Sequence, residues 1–306
     1  MMGFLKGKKR KGLSDLVGVD FSASGVKVVR IKNNRDGICV TGVDLLPAVD
    51  FTQPARRISL PRNLCPHYSC LSYSSKDTVV RLVSASIPSE SEELSEEEIR
   101  ELLNVNEDYR AAATLLKRGK GREDSSFLAA AMPESDARFL ISMFPSGPPA
   151  PMSIEISGLS TINAFLHARG NECIDTSVCL IECGDKVSYF AFLNRGVVSL
   201  VGKFIFGGDL LRRKIVEDLG VDDELASSIL SDRSVNIAAI IQDVMTPFLK
   251  QLVISRDFVE RHQKSRITRI YASGGTSLFP HWKETVQQSL LIDVVSWSPF
   301  ENIDME

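Results

Sequence analysis

The chain has 306 residues, of which 43% are hydrophobic and 25% charged, and its net charge is −3. That length fits one large or two medium domains with a real core, and the near-balanced charge gives no global attraction to nucleic acid or an anionic membrane. The cysteines (Cys39, Cys65, Cys70, Cys173, Cys179, Cys183) match no zinc or redox spacing, the chain is too large for a disulfide scaffold, and a metal site at the last three lacks a histidine at ligand spacing.

The chain opens MMGFLKGKKRKG, with Lys6, Lys8, Lys9, Arg10 and Lys11 beside Phe4 and Leu5. This start, residues 1–12, reads as a solvated basic tail, with a weak tether to an anionic leaflet as the alternative. No apolar stretch of a signal peptide comes after it, and no window nears the roughly 18 apolar residues of a spanning helix. The expectation is a soluble, cytoplasmic protein.

Residues 16–21, 26–32 and 38–46 are rich in Val and Ile and read as three strands joined by SASG and NNRDG. The first strand ends in Asp20, beside a turn poor in bulk. Residues 51–75 show no regular pattern. A different module occupies 76–150: TVVRLVSASIP, a helix opened by the capping box of Ser95 and Glu98, a strand at FLAAAM and a helix at ESDARFLISMF. Six glutamates between Glu90 and Glu98 fit a solvated helix start. SGPPAP, residues 146–151, reads as a rigid linker.

The first plan then recurs. VCLIEC (178–183), VSYFAFL (187–193) and VVSLVGKFIF (197–206) are strands joined by the tight turns GDK and NRG. Glu182 corresponds to Asp20, which makes the pattern an internal duplication. FGGDLLRRKIVEDLG opens an amphipathic helix, a short helix comes next near 222–231, and a long one spans 234–262 with Pro247 inside it. RITRIYASGGTSLFPHWKETVQQSL gives a strand, a double-glycine turn and a helix, and LIDVVSW a last strand.

Two strand–acid–turn–strand units with a late Gly-Gly turn suggest a nucleotide cleft. Backbone N–H groups in small-residue turns can ring a phosphate. A carboxylate from each unit can hold Mg²⁺ through its waters, and GGTSL suits the α-phosphate or the adenosine face.

The order of these pieces resembles the PilM family, the actin-like proteins of type IV pilus assembly related to the division protein FtsA. The resemblance spans nearly the whole chain. VGVDFSASGVKVVRI is similar to the family's first phosphate loop, FGGDLLRRKI to its Gly-Gly helix start, QLVISRDFV to its ribose-side helix, ASGGTSLFPHW to its adenosine motif and SPFENI to its closing motif. FLAAAMPESDARFLISMF looks like part of the extra subdomain of PilM and FtsA, and SIEISGLSTINAF like the segment that leads out of it.

The resemblance implies an α/β, actin-like fold: two related ribonuclease H-like lobes with an inserted subdomain. The lobes would be residues 13–75 with 151–177, and 178–306, and the insert 76–150. It implies ATP and Mg²⁺ as ligands. Asp20 and Glu182 would organise Mg²⁺ through water; Ser22, Ser24, Gly25 and Lys27 would form the first phosphate loop. Glu182, Gly184 and Ser188 would form the second, Gly207 and Gly208 the helix start, Gln251 the ribose side, and Gly274, Gly275 and Thr276 the adenosine wall.

It further implies a cytoplasmic partner of a PilN-like inner-membrane protein, gripping that protein's N-terminal peptide at the inner face of a Gram-negative-type membrane. Other pilus platform or motor proteins and a second copy of the chain are further partners it admits. The alternatives are an active actin-like ATPase switch and an FtsA-like division or secretion platform protein.

The chain departs from the family pattern at the closest contacts. Ser22 and Ala23 stand where the family has a loop glycine and a hydroxyl. A side chain at positive φ there would be strained, and Ala23 has nothing to donate to a phosphate. Gln251 replaces an acid, and Asp209 and Arg212 replace the asparagine and threonine of the helix start. No residue is assigned as a water-orienting group, so hydrolysis lacks a component it needs.

Overall fold

The computed structural model describes residues 14–34, 37–87, 93–119, 124–144, 146–232, 234–301 and 303–305. The basic start, Glu90 and Glu92 lie outside the described residues. The chain divides into two compact units, Met1–Ser160 with Asn302–Glu306, and Thr161–Glu301.

In the first unit, β1 (Asp15–Ser22), β2 (Gly25–Asn34) and β3 (Gly37–Leu46) form the expected antiparallel meander. β4 (Tyr68–Tyr73) lies parallel to β1 inside the stretch that had no sequence pattern. Next come β5 (Val79–Ala85), α1 (Glu96–Leu103), β6 (Tyr109–Lys117), β7 (Ser125–Pro133) and α2 (Glu134–Ser142). β5, β7 and β6 make a three-stranded antiparallel sheet, and α1 covers it by setting Ile99 and Leu103 on Ala129 and Ala131. The capping box holds as expected: Ser95 Oγ accepts from the Glu98 N–H, and Glu98 accepts from the Ser95 N–H. Such a cap is worth about 1 kcal/mol.

β8 (Ala150–Ile156) starts within the expected linker and runs parallel to β4. α2 does not stay with its own module. Its Leu140, with Met143 and Phe144 just beyond, packs under Val17, Val19, Phe21 and Val28 of the meander. This is why residues 76–150 fall inside the first unit and not in a unit of their own.

α3 (Leu159–Arg169) leads into the second unit. β9 (Ser177–Cys183), β10 (Ser188–Asn194) and β11 (Val197–Phe204) repeat the meander. Then come α4 (Gly208–Leu219), α5 (Asp223–Ser231), α6 (Ala238–Gln263), β12 (Ile267–Ser273), α7 (Trp282–Leu290) and β13 (Val294–Ser296). β14 (Asp304–Met305) returns to the first unit, parallel to β3. Residues 161–177, expected with the first lobe, group with the second unit because Phe165 packs against Tyr271 and Trp297, with ring centroids 4.8 and 5.3 Å apart.

The two large sheets share one plan. Their orders are β3-β2-β1-β4-β8 (with β14 beyond β3) and β11-β10-β9-β12-β13. In each, a meander is extended by two parallel strands on the side of its first strand. Burial explains the sequence. β9 and β10 are buried on both faces and read as continuous apolar runs. α6 buries Ile241, Met245, Phe248, Leu252 and Val259 against that sheet, each contributing roughly 1.5–3 kcal/mol. Among the described residues no helix is long and apolar enough to cross a membrane.

Candidate functional site

The residues expected to bind nucleotide form two groups, one per unit. In the first unit, β1 carries Asp20 near its end and the hairpin register sets it opposite Lys27 of β2. Lys27 Nζ lies 3.6 Å from Asp20 Oδ2, with the two side chains 54% and 34% exposed. Ser157 Oγ donates to Asp20 Oδ1 at 2.9 Å, and Ser157 and Ser72 hydroxyls pair at 2.9 Å. Ser72 and Ser157 are adjacent because β1, β4 and β8 are neighbours. No local motif marks them, although a Ser-Gly at a strand end before a helix was a usable signal.

The turn itself closes on its own atoms. Ser22 Oγ donates to the Gly25 carbonyl at 2.7 Å and lies 3.2 Å from Ser24 Oγ. The expected strain is absent: among the described residues, the non-glycines at positive φ are Asn104, Arg195, Lys264, His281 and Leu291, none of them in this turn. Gly25 alone takes the unusual conformation, φ +142°, and a Cβ there would sit 2.8 Å from the Leu46 carbonyl oxygen. The close approach of β3 requires this glycine.

In the second unit the loop after β9 brings three segments together. The Gly184 carbonyl accepts from Thr276 Oγ1 at 2.6 Å and from the Gly208 N–H at 3.3 Å. The Asp185 carbonyl accepts from the Asp209 N–H at 2.9 Å. The N-terminus of α4, which starts just after Gly207, is thus engaged by carbonyl oxygens. The Asp209 side chain pairs with Arg212 and Arg213, placing its charge favourably at the helix start. Gly274 has φ +87°, and a Cβ on it would lie 2.4 Å from the Cys183 carbonyl oxygen. A Cβ on Gly275 meets nothing within 4 Å.

Ser188 is buried, donating to the Phe206 carbonyl at 2.8 Å beside Cys183 Sγ at 3.2 Å. Glu182 is half-buried at the end of β9. Gln251 lies exposed on α6 with Nε2 3.4 Å from Ser255 Oγ. Burial pushes the Cys183 thiol up to about 12 and the Cys179 thiol higher still, so both are inert. Among the described residues no three His, Cys, Asp or Glu side chains form a metal-ligand cluster.

A second feature of the first unit lies outside every sequence motif. A cavity of about 680 Å³ opens between the end of β3, the loop over 47–59 and α2. Its apolar lining includes Val26, Leu46, Val49, Ile58, Phe139 and Met143. Asp50, Arg56 and Arg57 lie at it too.

Comparison with known proteins decides the family. The family model described as Type IV pilus assembly protein PilM matches residues 154–306, half of the chain. The chain belongs to the PilM family. Among solved structures, the PilM-PilN type IV pilus biogenesis complex matches at a TM-score of 0.79 and 16% identity, over 95% of this chain and 90% of that one. A Bacteroides thetaiotaomicron protein with an actin-like ATPase fold and unknown function matches at a TM-score of 0.52 and 12% identity, over 99% and 96%. No functionally curated protein matches in sequence. The fold of this PilM-family chain is therefore actin-like, and the duplicated five-strand plan is that fold's signature. The sequence match to PilM begins at the end of β8, so it takes in the second-unit group and leaves Asp20 and its turn outside.

Proposed function

We propose that this PilM-family chain is a partner-binding component of type IV pilus assembly, working at the cytoplasmic face of the inner membrane. Its ligand in this reading is the extended cytoplasmic N-terminal peptide of a PilN-like membrane protein. The observation that carries the reading is the cavity of about 680 Å³ in the first unit. It falls within the roughly 300–1,000 Å³ of sites that bury a ligand, and its apolar walls are joined by Asp50, Gln53, Arg56, Arg57 and Ser59. The similarity to a PilM-PilN complex names the kind of partner.

The test is a titration of the labelled PilN-like peptide against the wild type and Ala48→Arg. Ala48 lines the cavity from an exposed position, so the arginine fills it without entering the core. Saturable binding that the variant loses at unchanged melting temperature is expected. Equal binding by both proteins, or none by the wild type, refutes the reading.

A second reading, the actin-like ATPase switch, is favoured by the Asp20–Ser157–Ser72 chain beside Lys27. Lys27 and Ser24 would face a phosphate there and Asp20 the waters of Mg²⁺. The second-unit residues do not fit that ligand. Ser188, Thr276 and the first N–H groups of α4 are spent on backbone carbonyls. No catalytic step through ATP can be derived from this arrangement. The two readings separate by melting with and without 1 mM Mg-ATP, with Asp20→Ala as control. A ligand at 100 times its Kd adds about 2.7 kcal/mol, a shift of several degrees at this size. No shift is expected; one that Asp20→Ala abolishes restores the switch.

A further inference from the structure

We infer that the cavity of the first unit selects a peptide carrying an acidic residue beside its apolar anchors, with Arg56 and Arg57 as the specificity-determining cations; this rests on the peptide-binding reading above. Both arginines lie at the cavity and are exposed. Among the described residues neither has a hydrogen bond or a carboxylate partner. Arg30, Arg169, Arg212 and Arg256 are each held by a carboxylate; Arg56 and Arg57 differ from the other arginines in lying together at a cavity. The one acid at the cavity, Asp50, is already committed. Its Oδ1 accepts from the Thr52 N–H at 2.9 Å and the Thr52 hydroxyl at 2.7 Å.

The cavity therefore presents two unpaired guanidinium groups against one carboxylate tied into its own turn. A guanidinium fork matches a carboxylate in shape as well as charge. Apolar walls such as Phe139 and Met143 lower the local dielectric and strengthen that attraction. The segment bearing the arginines is held at both ends. Gln53 N–H donates to the Asp50 carbonyl at 3.2 Å, and Ile58 N–H to the Met143 carbonyl at 3.1 Å. These two bonds anchor the backbone on either side of the arginines, which lowers part of the ordering cost of binding. The occupant that fits is an extended, mainly apolar peptide with one Asp or Glu reaching this pair.

The experiment is a selection of random decapeptides displayed on phage against the immobilised full chain, run in parallel on the wild type and on the double variant Arg56→Gln, Arg57→Gln. Both sites are exposed, so equal melting temperatures are the check on folding. Peptides enriched on the wild type are expected to combine apolar residues with an acid. On the double variant the apolar pattern persists and the acid disappears.

A selected peptide and its Asp→Asn or Glu→Gln analogue are then titrated against both proteins. The acid should gain roughly ten- to hundredfold over its amide on the wild type, as for a hydrogen bond to a charged group, and little on the variant. Wild-type peptides without acids, or acids retained on the double variant, overturn the inference while leaving peptide binding intact. Failure to enrich any peptide overturns the binding reading and this inference together. Retention of the wild type, and not the variant, on phosphatidylserine vesicles with no peptide enriched would assign the arginines to a lipid surface instead.

Discussion

Replacing Gly274 by alanine tests whether the double-glycine turn is there for packing. Two costs add. Alanine at φ +87° is in a region L-residues avoid, at about 1–2 kcal/mol. The new Cβ would also lie 2.4, 2.7 and 2.8 Å from the Cys183 carbonyl oxygen, carbonyl carbon and nitrogen. Those atoms belong to β9, which is paired on both sides and buried, so they yield only by moving the sheet. Overpacking of that kind costs roughly 1–3 kcal/mol more. The expected loss is about 2–5 kcal/mol, or some 5–15 °C for a protein of this size. Gly275→Ala is the control, since its Cβ meets nothing, and should stay within about 1 kcal/mol of wild type. Urea melts monitored by circular dichroism, without nucleotide, give both values. If the two variants unfold at the same midpoint, or if Gly274→Ala loses stability only when Mg-ATP is present, the close-packing argument is wrong.

Charge and burial give two further outcomes. The Arg30 guanidinium holds the Asp15 carboxyl below its usual range, and Arg169 does the same for Glu301. Depressed carboxyl pKa values stabilise the folded state above the unfolded values near 4 and lose that contribution as pH falls through the folded values. Stability should therefore drop below about pH 4, and Glu301→Gln should flatten the drop in acid melts while costing little at pH 7, since such partly exposed pairs contribute at most about 1 kcal/mol. With a thiol reagent, Cys65 and Cys70 should label in the native state and Cys179 and Cys183 only on unfolding; mass spectrometry showing early Cys183 labelling would contradict its burial.

The meanders were legible because both rules of strand reading applied at once. β1 to β3 and β9 to β11 are Val- and Ile-rich and are punctuated by Gly, Asn and Ser. β6 escaped because its alternation runs through alanines, which carry little hydrophobic contrast. β4 escaped because YSCLSY looks polar, yet it is sandwiched between β1 and β8 and its Ser69 is fully buried.

The candidate site was half legible. Asp20 and Lys27 stand out in the sequence, but Ser72 and Ser157 join them only through parallel pairing across long stretches of chain. The engagement of α4's N-terminus depends on carbonyls of the loop after β9, and carbonyls have no sequence signature. Arg56 and Arg57 could not be grouped from the sequence because the segment has no period; only the cavity brings them to one place.

The shared sheet plan also divides the chain's strand pairings into local and long-range ones. β1 and β2 are joined by two residues and β10 and β11 by two, so these hairpins close on the microsecond scale. The parallel partners come late. β4 must find β8 across the whole span from Val79 to Ser142, and β9 must find β12 across three helices. Such closures carry a loop entropy before any contact repays it. A folded module of β5, β6 and β7 shortens the effective distance its ends must cover, and α2 docks directly onto the waiting meander. The insert in the first unit therefore fills the loop that the pairing of β4 with β8 has to close, and its own three-stranded sheet shortens the span that loop must bridge.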